Sequence, residues 1–158
     1  FLPAFECEVV VIVRDPRDVA VSAMAYWGWS LDHALQVMIE GPGPLDLLPW
    51  RAYVDGWLQP ALVRYEDLHR DAVAELRWLV GAMARKPLVG VVCRQAFGVR
   101  RAEMERRGDE YPFGRDAQLK HMRHGQIGEW RKVFTAAQAR QALDAWGPLL
   151  MELGYECD

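Results

Sequence analysis

The chain has 158 residues, enough for one domain with its own hydrophobic core. About half of them are apolar and a quarter charged, which excludes a disordered chain. A net charge of −3 removes the general electrostatic case for a nucleic-acid binder. Three cysteines, Cys7, Cys93 and Cys157, match no metal spacing, and their odd number argues for free thiols in a reducing, cytoplasmic setting. The apolar run Val9–Val13 is far too short to cross a membrane. The bases are lopsided: apart from Lys86, Lys120 and Lys132 all are arginine, a bias that a GC-rich genome explains and that also suits forked phosphate contacts.

Val9–Val13 is a continuous β-branched run without alternation, which predicts a strand covered on both faces of a parallel sheet. It ends in Arg14, and Asp15-Pro16-Arg17-Asp18 then reads as a helix start. Asp15 fits the N-cap, Pro16 the first position, and Asp18 the third, where a carboxylate is favourable. That helix is expected from Pro16 to about Tyr26, with Val19, Ala23 and Tyr26 on one face, before Gly28 and Ser30 break it.

A second helix carries Leu31, Leu35 and Met38 and ends at Gly41, and the Gly-Pro-Gly-Pro of 41–44 is a turn. "LPWRAYVDGWL" reads as a third helix, with Trp50, Tyr53, Val54 and Trp57 on one side and Pro60 closing it. "ALVRY", 61–65, is the second strand, and a helix is expected from about Asp71 to Arg85. Two shorter helices are expected over 87–97 and 99–107, followed by a long loop, 108–128, that is expected to settle on ligand binding. Thr135 and Gln138 form a capping-box pair that starts a final helix, with Leu143, Trp146 and Leu150 on one face and Gly154 at its end.

Three stretches can carry chemistry. At the end of the first strand, Arg14 can give a phosphate a pair of hydrogen bonds, Ser22 can add a hydroxyl, and the helix start favours an anion. The alternative is a surface ion pair of Arg14 or Arg17 with Asp18. At the end of the second strand, Tyr65 can meet a base or sugar edge, or simply be a core aromatic before the carboxylates Glu66 and Asp67. The third stretch, 120–134, holds Lys120, His121, Arg123, His124, Arg131 and Lys132. Gly125 and Gly128 let its backbone N–H groups form a phosphate nest, against the alternative of a solvated basic loop. Two histidines three apart, without further ligands, are no case for zinc, and no metal is expected.

In this order the three stretches resemble the cytosolic type of sulfotransferase, which uses 3'-phosphoadenosine 5'-phosphosulfate. "VVVIVRDPRDVAVSA" is similar to the family's 3'-phosphate motif, so the resemblance implies that Arg14 and Ser22 bind that phosphate. "LVRYEDL" resembles the Tyr-Glu-Asp strand end and implies that Tyr65 contacts adenine. "RHGQIGEWRKVFT" resembles the late Gly-x-x-Gly-x-Trp loop and implies that Arg123, His124 and Gly125 close over the same phosphate, with His124 in place of the usual lysine. "QAF", 95–97, resembles the segment that flanks adenine, but Gln95 and Ala96 depart from its small hydroxyl residues.

The implied fold is a three-layer α/β/α sulfotransferase fold related to the P-loop NTP hydrolases, with a parallel sheet that is incomplete at the N-terminus. Residues 1–158 then form one domain, the C-terminal two-thirds of the whole, and the short link at 58–60 points to an omitted loop. The Tyr-Pro-Lys-x-Gly-Thr loop and the catalytic histidine of the family have no counterpart in the sequence, so no catalytic residue is assigned. The implied reaction moves a sulfuryl group to a hydroxyl or amine of a small-molecule acceptor, leaving 3'-phosphoadenosine 5'-phosphate. No nucleic acid or membrane partner is expected, and a homodimer is allowed. The aromatic "AYWGWS", 25–30, can wall an apolar acceptor pocket or merely pack. Alternatives are a non-catalytic nucleotide- or partner-binding remnant and a P-loop kinase-like enzyme.

Overall fold

The structure is a computed structural model that describes residues 10–41, 48–56, 61–82, 106 and 125–157. Strand β1 (Val10–Val13) leads into helix α1 (Pro16–Trp27), then α2 (Leu31–Glu40) and α3 (Trp50–Asp55). Strand β2 (Ala61–Arg64) follows, then α4 (Tyr65–Ala82), the single turn α5 (Trp130–Val133) and α6 (Ala136–Glu152). The helices expected over 87–97 and 99–107, and the 58–60 link, lie outside the described residues apart from Arg106.

β1 and β2 pair in parallel, Val10 opposite Ala61 through Val13 opposite Arg64, so both strand ends open on the same edge. Val11, Val13 and Val63 are buried, whereas Ile12 is 59 % exposed. The expectation of cover on both faces is thus met on one face only among the described residues. Helices α1, α2, α3 and α6 supply that cover, and Leu35, Trp50, Val54, Ala142, Trp146, Leu149 and Leu150 form the core with Val11 and Val13.

Local chemistry fixes the helix ends. Asp15 caps α1 by accepting from Arg17 N, with Pro16 at the first position, as its sequence predicts. Gly28 takes the left-handed conformation that ends α1 (φ 72°). Thr135 and Gln138 form the predicted capping box on α6. At the other end Gly154 N donates to Met151 O and Tyr155 N to Leu150 O. This is a Schellman closure, with Gly154 left-handed at φ 74°.

Two details depart from the periodicity. The face of α1 that carries Val19, Ala23 and Tyr26 is half-buried, and the fully buried positions are Pro16, Arg17, Asp18, Ala20 and Val21. Helix α4 begins at Tyr65, six residues before the predicted start, and is broken at Asp71 (φ −150°, ψ 79°). Asp71 does act as a cap, accepting from Ala74 N at 3.0 Å.

A candidate anion site at the ends of the two strands

The parallel register sets Arg14, just past β1, beside Tyr65, just past β2. The Arg14 guanidinium carbon lies 4.8 Å from the centre of the Tyr65 ring. The turn Gly125–Glu129 covers the pair. Arg14 Nη2 donates to Gln126 O at 2.7 Å and the Tyr65 hydroxyl to Gly125 O at 3.1 Å. Both Gly125 (φ 63°) and Gly128 (φ 73°) are left-handed, which is why this turn needs glycine. At Gly128 a Cβ would also come within 3.2 Å of the Arg131 side chain.

The turn is tied from below by a residue that the sequence marks only as a favourable acid at a helix start. Asp18 is fully buried, and its two oxygens accept Gly128 N at 2.7 Å and Trp130 N at 3.0 Å. Arg14 Nη2 stands 3.9 Å from the same carboxylate. The expected nest of free N–H groups is therefore corrected at these two positions, whose donors are committed to a side chain of the protein. The residue pairs 14–126, 65–125 and 18–128 are 60 to 112 positions apart in sequence, so no local signal announces them.

Of the two ion pairs weighed as the alternative, Arg14–Asp18 is present at 3.9 Å, with the carboxylate buried rather than on the surface, and Arg17–Asp18 is not formed. Arg17 pairs with Asp15, not Asp18, through bonds of 2.7 to 3.2 Å, and both side chains are buried. It also donates to Glu156 O at 2.7 Å, and its guanidinium carbon lies 3.9 Å from the Trp130 ring centre. Behind it, Glu66 accepts from Asp15 N at 3.0 Å and from the Tyr155 hydroxyl at 2.9 Å. This network of α1, α4 and the C-terminal tail was not legible in the sequence.

Arg14 differs from Arg17 in having donors to spare. Its Nε is buried and has no hydrogen-bond partner, while the side chain as a whole is 22 % exposed. The exposed part of the guanidinium, rather than the enclosed Nε, can donate to an anion without surrendering the Gln126 bond. Burial raises the Tyr65 phenol above its ordinary range, opposed by the Arg14 charge and reinforced by Glu66, so Tyr65 stays a neutral donor. Burial, aided by the Glu66 carboxylate, drives the Tyr155 phenol far above its ordinary range.

Of the residues singled out in the sequence, Arg14, Tyr65 and Gly125 converge. Ser22 is half-buried two turns into α1, and no hydrogen bond joins it to Arg14. Arg123, His124, Lys120, His121, Gln95 and Ala96 lie outside the described residues. Among the described residues no group of His, Cys, Asp and Glu can hold a metal ion, and no helix is long and apolar enough to cross a membrane. At the α1–α2 corner Trp27 is 44 % exposed and stacks on Trp29, with ring centres 5.6 Å apart, so the aromatic run there is not plain core.

The family model of the sulfotransferase domain matches residues 4–154. Mouse sulfotransferase 2A1 is 25 % identical over 160 residues, covering 85 % of this chain and 53 % of the relative. Rat sulfotransferase 2A6 is 25 % identical over 156 residues, with the same coverage of both chains. The chain thus spans about half the length of the curated relatives it matches. Among solved structures, mouse sulfotransferase SULT7A1 complexed with PAP superposes with a TM-score of 0.71 at 19 % identity, over 91 % of this chain and 58 % of that one. That likeness establishes the fold: the small parallel sheet and its helices are part of the α/β sulfotransferase architecture. With nearly the whole chain inside the family model, the protein belongs to the sulfotransferase family.

Proposed function

We propose that this chain anchors the nucleotide in a sulfotransferase that moves a sulfuryl group from 3'-phosphoadenosine 5'-phosphosulfate to a hydroxyl or amine of a small molecule. The observation that carries the reading is Arg14: a guanidinium at the strand ends with an unpartnered buried Nε, framed by Tyr65 and a glycine turn. The exposed part of that guanidinium fits an anion such as the 3'-phosphate of the nucleotide. The solved relative that superposes was captured with PAP, which supports the same ligand class here.

In this reading Arg14, Ser22, Arg123, His124 and Gly125 hold the 3'-phosphate and Tyr65 lies against adenine. When bound, the donor supplies a sulfuryl group activated by its 5'-phosphate. This chain's part is positional. Arg14 neutralises the remote phosphate and so fixes the nucleotide's register, and the Gly125–Glu129 turn keeps water from the charged contact. No residue of the chain is assigned the role of general base, and no metal is required by these contacts. The Trp27–Trp29 stack, with Trp27 exposed and Trp29 half-buried, supports an acceptor with an apolar scaffold.

The test is calorimetric titration of the 158-residue protein with 3'-phosphoadenosine 5'-phosphate and with adenosine 5'-phosphate. The first should bind about thirtyfold tighter or more, since one charge-assisted contact is worth about 2 kcal/mol. Equal affinities, or no binding of either, would overturn the assignment.

A further inference from the structure

Asp18 has no part in the nucleotide contacts proposed above, yet it is the most completely buried carboxylate of the strand-end corner. Its side chain is 0 % exposed, and a buried carboxylate persists only where hydrogen bonds and countercharge compensate it. Here the compensation comes from the turn: Gly128 N and Trp130 N each donate to one oxygen. The carboxylate cannot swing away. It stands on the first turn of α1, whose Ala20 and Val21 are packed into the interior and whose start is capped by Asp15.

We infer that Asp18 is a positioning residue: a fixed internal anion that takes the turn's N–H groups in place of a ligand and so pre-forms the turn over Arg14. The inference rests on the nucleotide reading for what Arg14 binds, but not for the clamp itself. Two consequences follow from the geometry. The N–H groups of Gly128 and Trp130 are unavailable to a phosphate, which must be held by side chains and by other backbone groups. Asp18 also places a negative charge 3.9 Å from Arg14, so electrostatics alone predicts that removing it strengthens anion binding. Clamping predicts the opposite sign. Without the carboxylate the turn loses two bonds, Gln126 O no longer holds Arg14, and the site has to be assembled by the ligand at its own cost.

The sign is measurable. Asp18→Asn keeps the shape and removes the charge, while Asp18→Glu keeps the charge and displaces it by one methylene. Both should bind 3'-phosphoadenosine 5'-phosphate about tenfold more weakly or worse, a size set by losing one or two hydrogen bonds to a charged group. An unchanged or higher affinity in Asp18→Asn, or wild-type affinity in Asp18→Glu, would overturn the clamp. Because either variant can fail to fold, the wild-type protein supplies a second reading through amide hydrogen exchange. The Gly128 and Trp130 amides should be protected without nucleotide and equally protected with it. Fast exchange of these two amides in the free protein, or protection that appears only with nucleotide, would overturn it as well. If the wild-type protein does not bind the nucleotide, the proposed function fails and Asp18 loses its role towards a ligand, whereas the exchange result still decides the clamp.

Discussion

Arg14 and Arg17 stand three residues apart at one strand–helix corner, and they are opposite in kind. Arg17 spends its guanidinium on the protein: two oxygens of Asp15, the carbonyl of Glu156 and the face of Trp130. Arg14 makes one bond to the Gln126 carbonyl and keeps a buried Nε without a partner. Residue type and spacing do not separate them. What separates them is a count of donors against acceptors, and an arginine left with unmet donors near an open edge is the one available to a ligand.

The comparison breaks first on stability. Arg17→Ala strips the N-cap carboxylate of its buried partner and should cost about 3–5 kcal/mol in denaturant unfolding. A loss below about 1 kcal/mol would erase the distinction between the two arginines. On the same side of the corner, Tyr155→Phe removes one of the hydrogen bonds that satisfy Glu66 and should cost about 1.5–3 kcal/mol. Arg14→Ala loses one bond to a loop carbonyl and a countercharge 3.9 Å from Asp18, whose two backbone hydrogen bonds remain, and should cost about 1–2 kcal/mol in the same assay, less than Arg17→Ala.

Smaller effects sharpen the picture. Tyr65→Phe removes the neutral bond to Gly125 O and should cost about 1 kcal/mol or less. The pH dependence is smaller still and comes from the edge of the corner. The hydrogen bond from Arg64 holds the Asp67 carboxyl below the usual carboxylate range, and Arg70 adds to it. A depressed folded-state pKa gives a contribution that is complete above about pH 5 and fades as pH falls below about 4, through the folded value. Asp67→Asn should therefore lose less stability than the wild type as pH falls below about 4. Parallel acid curves for the two proteins would contradict the pairing.

What the sequence disclosed was local. The cap at Asp15, the capping box at Thr135 and the closure at Gly154 each act within a few residues, so their chemistry is visible in a short window. The start of α4 was hidden, because Tyr65 extends the β-prone run "ALVR" and no capping residue precedes it. At Ile12 the expected cover is missing among the described residues. A β-branched run states that a strand is present, but the elements available to cover each face decide its burial. The roles of Asp18 and Glu66 could not be read locally at all. Asp18 meets backbone groups 110 and 112 residues away, and Glu66 meets Tyr155 across 89. An acidic residue in a first helical turn already has a sufficient local explanation in the helix dipole, which conceals its distant one.

The most direct test of Arg14 as the ligand-facing arginine is a calorimetric titration of wild type and Arg14→Ala with two nucleotides. One is 3'-phosphoadenosine 5'-phosphate, and the other is adenosine 5'-phosphate, which lacks the 3'-phosphate. A charge-assisted contact to that phosphate alone is worth about 2 kcal/mol, roughly thirtyfold in affinity. Arg14→Ala should show that loss for the first ligand and almost none for the second. A small loss, equal for both ligands, would contradict the placement of Arg14 on the phosphate and leave it a residue that serves only the protein, as Arg17 does.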